Sequence, residues 1–299
     1  MAKPTPLAGF GPSTRIRDAA DHIIGVRLTE VRQFEDRLAQ QIGVDDVHDM
    51  RVATRRLRAA MRLCGVNRKV DANVKRFQDA LGDVRDLHVQ MRWLEEQEKE
   101  SEGTGGRALR HLRDELASAL PTRERALQAA LKRWRSRTVP LVREAMKDLD
   151  TSFRFGGSHV RRLVRKRLSR IETGMDHFTA SSDAHVAHQL RIQVKKLRYL
   201  AELLEPVWPD KVQALLQALT PLQETFGDLH DVDVRIAELT GTGELVKSPV
   251  PGAVPLLKQL EGNRKKLVVK GTELVRRWQS ESLARDFRRM FKERRTATA

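Results

Sequence analysis

Cysteine is almost missing: Cys64 is the only one in 299 residues, which excludes a disulfide framework and any cysteine-built zinc site. Aromatic residues make up 5% of the chain, with a single tyrosine, Tyr199. Surfaces that stack successive bases need such rings, so base-stacking capture of nucleic acid is disfavoured. No run of 18 apolar residues occurs, and the opening M-A-K-P-T-P-L-A-G-F has no apolar core of the signal-peptide kind. Neither a membrane span nor a secretory leader is expected, and a cytoplasmic location is the default. Acidic charge is in the minority: 40 Asp and Glu stand against 56 Lys and Arg, a net +16, with a pI near 10.5. Such a balance points to an anionic partner such as nucleic acid, a membrane surface or a phosphate polymer.

From Ser13 onward the pattern is helical almost throughout, rich in Leu, Ala, Arg, Glu and Gln and without a period-two strand. Residues 1–12, with three prolines and two glycines, read as a flexible lead-in. A first helix is expected from Ser13 to about Gln41, closed by Gly43, and a second from a cap at Asp45 or Asp46 to near Gly65. A third runs from about Val70 to Glu100. S-E-G-T-G-G at 101–106 separates it from a fourth, which reaches Leu149 past Pro121 and Pro140, each able to start a segment or kink one. T-S-F-R-F-G-G-S at 151–158 is the best candidate linker. Four more helices are expected at about 159–178, 184–205, 210–239 and 254–292, followed by a frayed tail at 293–299.

The chain is organised around a motif written twice. H-D-M-R-V-A-T-R-R-L-R from His48 returns 140 positions later as H-Q-L-R-I-Q-V-K-K-L-R from His188. At ~100° per residue, His48, Arg51, Arg55, Arg58 and Arg62 fall on one face, with Arg56 beside them. Met50, Ala53, Leu57, Ala60, Met61 and Cys64 lie opposite, which makes Cys64 a core thiol. His188, Arg191, Lys195 and Arg198 repeat the stripe, with Lys196 alongside, backed by Leu190, Val194, Leu197, Leu200 and Leu204. A charged face opposite an apolar one is usually just solvated. Solvated faces mix signs, however, because like charges three and four apart repel. A nearly pure cation stripe that occurs twice points to an anion that neutralises it.

The repeat extends further. Q-D-A-L-G-D-V-R-D-L-H-V at 78–89 matches Q-E-T-F-G-D-L-H-D-V-D-V at 223–234, and K-R-W-R-S at 132–136 matches R-R-W-Q-S at 276–280. One four-helix unit, duplicated, accounts for both offsets. The expected fold is therefore all-α: two four-helix-bundle halves, 13–150 and 159–292, related by a pseudo-twofold axis that can bring both stripes to a shared groove.

A third basic surface follows the linker, where His159, Arg162 and Lys166 share a side with Arg165 adjacent. Arg264 and Lys265, in the run R-K-K with Lys270 nearby, are further candidates. The G-D-x-x-D pairs, Asp83/Asp86 and Asp228/Asp231, place two carboxylates on one helical face. They suit either a magnesium site or supports that accept from the motif arginines and hold them in place; the supporting role is favoured because nothing else in the chain supplies a reaction centre. Gly82 and Gly227 are expected to permit close helix approach. His48 and His188 have no nucleophile or orienting carboxylate at a recognisable spacing, so they read as hydrogen-bond donors to phosphate oxygen. The other histidines, including His88 and His230, show no metal-ligand spacing. No metal, cofactor or catalytic residue is expected.

These duplicated motifs, with the paired G-D-x-x-D segments, resemble the CHAD family, the conserved-histidine α-helical domain, over roughly residues 13–292. The resemblance implies a helical, two-half fold that binds inorganic polyphosphate in a basic groove, often at polyphosphate granules. By position it implies ligand contacts at His48, Arg51, Arg55, Arg58, His188, Arg191, Lys195 and Arg198. Glu202 stands where the first copy has Arg62, so the second stripe is shorter. The E-x-E-x-K signature of the triphosphate-hydrolysing domain fused to some relatives is absent, which implies a binding module rather than an enzyme. The alternatives left open are a nucleic-acid-binding protein and a magnesium-dependent enzyme acting on a phosphorylated substrate through the aspartate pairs.

Overall fold

Leucine and alanine at helical spacing, opposite arginine and glutamate, give a chain that buries its apolar stripes helix on helix. The computed structural model describes residues 4–100, 103–149 and 152–291, and the tail at 293–299 lies outside them. Among the described residues the fold is all-α, with one isolated antiparallel bridge between Arg15 and Arg154. Its helices are α1 (Ile16–Arg32), α2 (Glu35–Gln40), α3 (Val44–Leu63), α4 (Arg68–Glu100), α5 (Gly103–Arg133), α6 (Val139–Lys147), α7 (Ser158–Ser181), α8 (Ala184–Leu204), α9 (Pro209–Leu239), α10 (Val254–Ser280) and α11 (Leu283–Met290). A π-helical turn, Trp134–Thr138, joins α5 to α6.

Two compact units emerge. The first comprises Met1–Pro6, Arg17–Thr151 and Val234–Glu261, and the second Leu7–Ile16, Ser152–Asp233 and Gly262–Ala299. This division differs from the repeat, which places 234–261 in the second half, 7–12 in the lead-in and 13–16 in the first half.

In the first unit α4 packs along both α3 and α5. Met50, Leu57 and Met61 of α3 are fully buried, as are Leu81, Val84 and Leu87 of α4. The expected first helix is broken, because α1 stops at Arg32 and α2 begins at Glu35. Glu35 explains the break: it is buried, accepts a hydrogen bond from Trp134 Nε1 at 2.8 Å, and lies 3.3 Å from Arg32 Nε and 3.5 Å from Arg135 Nε. Trp134 in turn stacks on Phe77 at 4.8 Å, so the π-turn swings this ring inward and neutralises a carboxylate the core would otherwise reject. Pro121 sits inside α5, while Pro140 lies in the first turn of α6, where its missing N–H is harmless. Asp45 and Asp46, expected as caps, lie instead in the first turn of α3, with Gly43 at the cap position.

In the second unit α7 packs along α8, with Val164, Leu168, Ile171 and Phe178 buried against Leu190, Val194 and Leu197. Phe178 meets Phe226 edge-on at 4.8 Å, and a Cβ on Gly271 would stand 3.3 Å from Phe178. Asp183 caps α8 by accepting from the His185 and Val186 amides. The segment expected to be a loose lead-in is partly fastened. Leu7 and Phe10 are buried, Phe10 stacks on Phe155 at 4.7 Å, and Ile16 N donates to Phe153 O at 2.7 Å. The linker stretch therefore supplies a core residue, Phe155. Gly156 is required there, since a Cβ would lie 2.8 Å from the Pro12 carbonyl. The last expected helix is also divided: Ser282 adopts a left-handed conformation (φ 52°) between α10 and α11.

Candidate functional site

Each motif helix buries the side predicted for it. Met50, Ala53, Leu57, Ala60, Met61 and Cys64 are buried on α3, and Leu190, Val194, Leu197, Leu200 and Leu204 on α8. Burial also pushes the Cys64 thiol up to about 12, which keeps it unreactive. The opposite face presents His48, Arg51 and Arg55 in the first unit and His188, Arg191 and Lys195 in the second, all half-buried.

The second carboxylate of each G-D-x-x-D pair stands beside these cations in the same way twice. Arg51 Nη2 is 4.0 Å from Asp86 Oδ1, and Arg191 Nη2 is 3.8 Å from Asp231 Oδ1. At these distances the carboxylates act on the guanidinium groups as charge partners beyond hydrogen-bond range. Asp83 faces Arg123 on α5 at 3.7 Å rather than a motif arginine, and Asp228 is exposed. Among the described residues no three His, Cys, Asp or Glu gather as a metal site would require. Binding of a polyanion is expected to survive chelation of divalent metals. Asp86→Asn is expected to change affinity only a few-fold, as suits an exposed ion pair; a strict magnesium requirement in a chelator titration would make the aspartates metal ligands instead.

Gly82 and Gly227 part company. A Cβ on Gly82 would lie 3.3 Å from Arg51 Nη2, so this glycine lets the guanidinium lie flat against α4. Nothing stands within 4 Å of the corresponding point on Gly227. The close approach expected at both glycines is found at Gly82, where an α3 side chain is what comes close, and not at Gly227.

Several predicted contacts are differently employed. Arg56 is 6% exposed and lies inside the fold rather than on the cationic face. Arg58, also buried, forks onto Asp71 of α4 (Nε–Oδ1 2.8 Å, Nη2–Oδ2 3.1 Å) and reaches Gln78 Oε1 at 3.1 Å. Arg62 Nη2 shares Asp71 at 2.9 Å. Burial opposes ionisation of Asp71, but hydrogen bonds and charge from Arg58 and Arg62 outweigh it and hold its carboxyl below the usual range. The outer end of the first stripe is thus neutralised from α4. In the second unit the same neutralisation comes from within α8, where Arg198 Nε meets Glu202 at 3.2 Å. Arg264 donates to Asp233 at 2.6 Å and to the Ser182 carbonyl at 3.0 Å, tying α10 to α9 and to the end of α7. Lys265 is exposed and Lys196 half-buried. On α7, Arg162, Arg165 and Lys166 are exposed, while His159 stacks on Phe153 at 4.2 Å.

Two site residues escaped the sequence argument. After burial itself, Arg85 is the charge that lowers His48 most. His230 Nδ1 lies 3.0 Å from His188 Nδ1, with the rings 4.3 Å apart. In the aligned 78–89 and 223–234 segments Arg85 and His230 occupy the same position, so the alignment held the signal. What hid it was that each falls between two conspicuous aspartates.

The model of the CHAD domain family matches residues 22–240, more than half the chain. The crystal structure of the CHAD domain from the plant Ricinus communis is similar in fold, with a TM-score of 0.59 at 19% identity, covering 96% of this chain and 96% of that one. No curated protein matches the sequence. A family model spanning both histidine motifs, together with the shared helical fold, leads to one conclusion: the chain belongs to the CHAD domain family.

Proposed function

We propose that this protein binds inorganic polyphosphate without transforming it, and that it serves at polyphosphate granules in the cytoplasm as a targeting or organising module. The observation that carries the proposal is the twofold occurrence of one constellation. Each unit presents a half-buried histidine, an arginine beside an aspartate, and a further cation one turn on: His48, Arg51, Arg55 with Asp86, and His188, Arg191, Lys195 with Asp231. Guanidinium forks engage phosphate oxygens bidentately, while a lysine acts as a point charge. Held at helical spacing, such groups rise ~5 Å per turn and suit a polymer whose charges are closely spaced. The low aromatic content and the net +16 favour backbone charge over base recognition.

Every polyanion will bind less tightly as salt rises, by a slope of about −0.7 per contact for single strands, so salt dependence alone does not identify the ligand. Rank order does. Long-chain polyphosphate is expected to bind at least ~10-fold tighter, about 1.4 kcal/mol, than single-stranded RNA or duplex DNA of matched charge in a competition assay at one salt concentration. Equal affinity, or RNA in first place, would replace this function with nucleic-acid binding.

A further inference from the structure

The two constellations differ at one position: where α4 places Arg85 near His48, α9 places His230 against His188. A guanidinium is charged at every accessible pH, whereas an imidazole is not. The surroundings of the pair are cationic. Arg191, Lys195 and His185 of α8 act on it, Asp231 of α9 stands beside Arg191, and Arg264 of α10 is held on Asp233, one turn from His230. Burial, then these positive charges, hold both imidazoles below the usual histidine range, His230 down to about 3. The unliganded pair is therefore neutral at pH 7.

Proton counting on the four ring nitrogens gives the consequence. A contact of 3.0 Å between two Nδ1 atoms requires one donor and one acceptor. In the neutral pair one ring spends its only N–H on that bond, so its Nε2 is bare. The other ring keeps a single Nε2–H. One added proton leaves the Nδ1–H···Nδ1 bond intact and puts an N–H on both Nε2 atoms, doubling the outward donors and adding a positive charge. A second proton would set two N–H groups against each other and break the contact. The pair is built to take up one proton.

We propose that the anion site of the second unit is proton-linked: a bound phosphate oxygen draws one proton onto the His188–His230 pair, which then donates to the ligand from both rings. This rests on the polyphosphate-binding function proposed above. Affinity then rises as pH falls, by at most about tenfold per pH unit between the pair's free and liganded protonation midpoints. His48 in the first unit contributes its own titration, and His230→Arg, which copies the Arg85 arrangement, isolates the contribution of the pair.

The test is calorimetry of the full chain with long-chain polyphosphate at pH 7 and fixed salt, in two buffers of different ionisation enthalpy, comparing wild type with His230→Arg. Long chains keep the titrating terminal phosphates few. The expected result is greater proton uptake by the wild type, by an amount approaching one proton. Imidazole NMR of the wild type serves as a second readout, independent of any variant: saturating polyphosphate should shift the resonances of His188 and His230 towards their protonated values. Equal uptake in both proteins, with imidazoles that stay neutral, would overturn the proton linkage while leaving polyphosphate binding in place. Absence of polyphosphate binding to the wild type would remove the functional proposal and the linkage with it.

Discussion

Replacing Arg51, Arg55, Arg191 and Lys195 together by alanine is expected to weaken polyphosphate binding by ~100-fold or more, and either pair alone by at least ~10-fold. The magnitude follows from the groups removed. A hydrogen bond to a charged partner contributes roughly 1.5–3 kcal/mol, and each pair supplies at least two. Neighbouring cations such as Arg85 and Lys196 recover part of the loss, so the expectation is set below the simple sum. The salt dependence should flatten too, by about 0.7 for each phosphate contact removed. These side chains are half-buried on the faces opposite the cores, so far-ultraviolet circular dichroism should be unchanged. Unaltered affinity in both double variants would move the binding site away from α3 and α8.

Asp71→Ala is expected to destabilise the first unit by about 2 kcal/mol, because removing one partner of a partly buried, hydrogen-bonded ion pair strands the other. Arg58 is 9% exposed and would keep its charge, with the Gln78 side chain as its remaining hydrogen-bond acceptor on α4. Arg62, with its side chain 42% exposed, can turn to water and adds little. The effect has a definite pH dependence. The folded Asp71 carboxyl titrates below its unfolded value, so its stabilisation is fully present above about pH 4, the ordinary aspartate range. It is lost as pH falls through the folded midpoint. Urea unfolding should therefore show the full gap between wild type and variant at pH 7, and a shrinking gap below pH 4. A gap that is small at pH 7, or that persists in acid, would mean that the Asp71–Arg58 fork does not hold the end of α3 to α4.

The amino-acid sequence by itself determined the helical class, the positions of most helices and the side of α3 and α8 that faces a core. Those properties rest on 3.6-residue periodicity and on Gly and Pro at helix ends, which are local. It pointed to the G-D-x-x-D carboxylates as partners of the motif arginines, because a repeat carries cations on one helix and carboxylates on another, but packing selected Asp86 for Arg51 and Asp231 for Arg191. Tertiary structure decided what local pattern could not hold. Whether a stripe arginine faces outward depends on what the neighbouring helix brings to it: Asp71 takes Arg58 and Arg62, and Asp233 takes Arg264, from 13, 9 and 31 residues away. The break between α1 and α2 depends on Trp134, 99 residues from Glu35. The facing of His188 and His230, 42 residues apart, likewise exists only once α8 packs on α9. Helical periodicity assigns a residue to a face, but the charge it meets there is set by packing between segments distant in the chain.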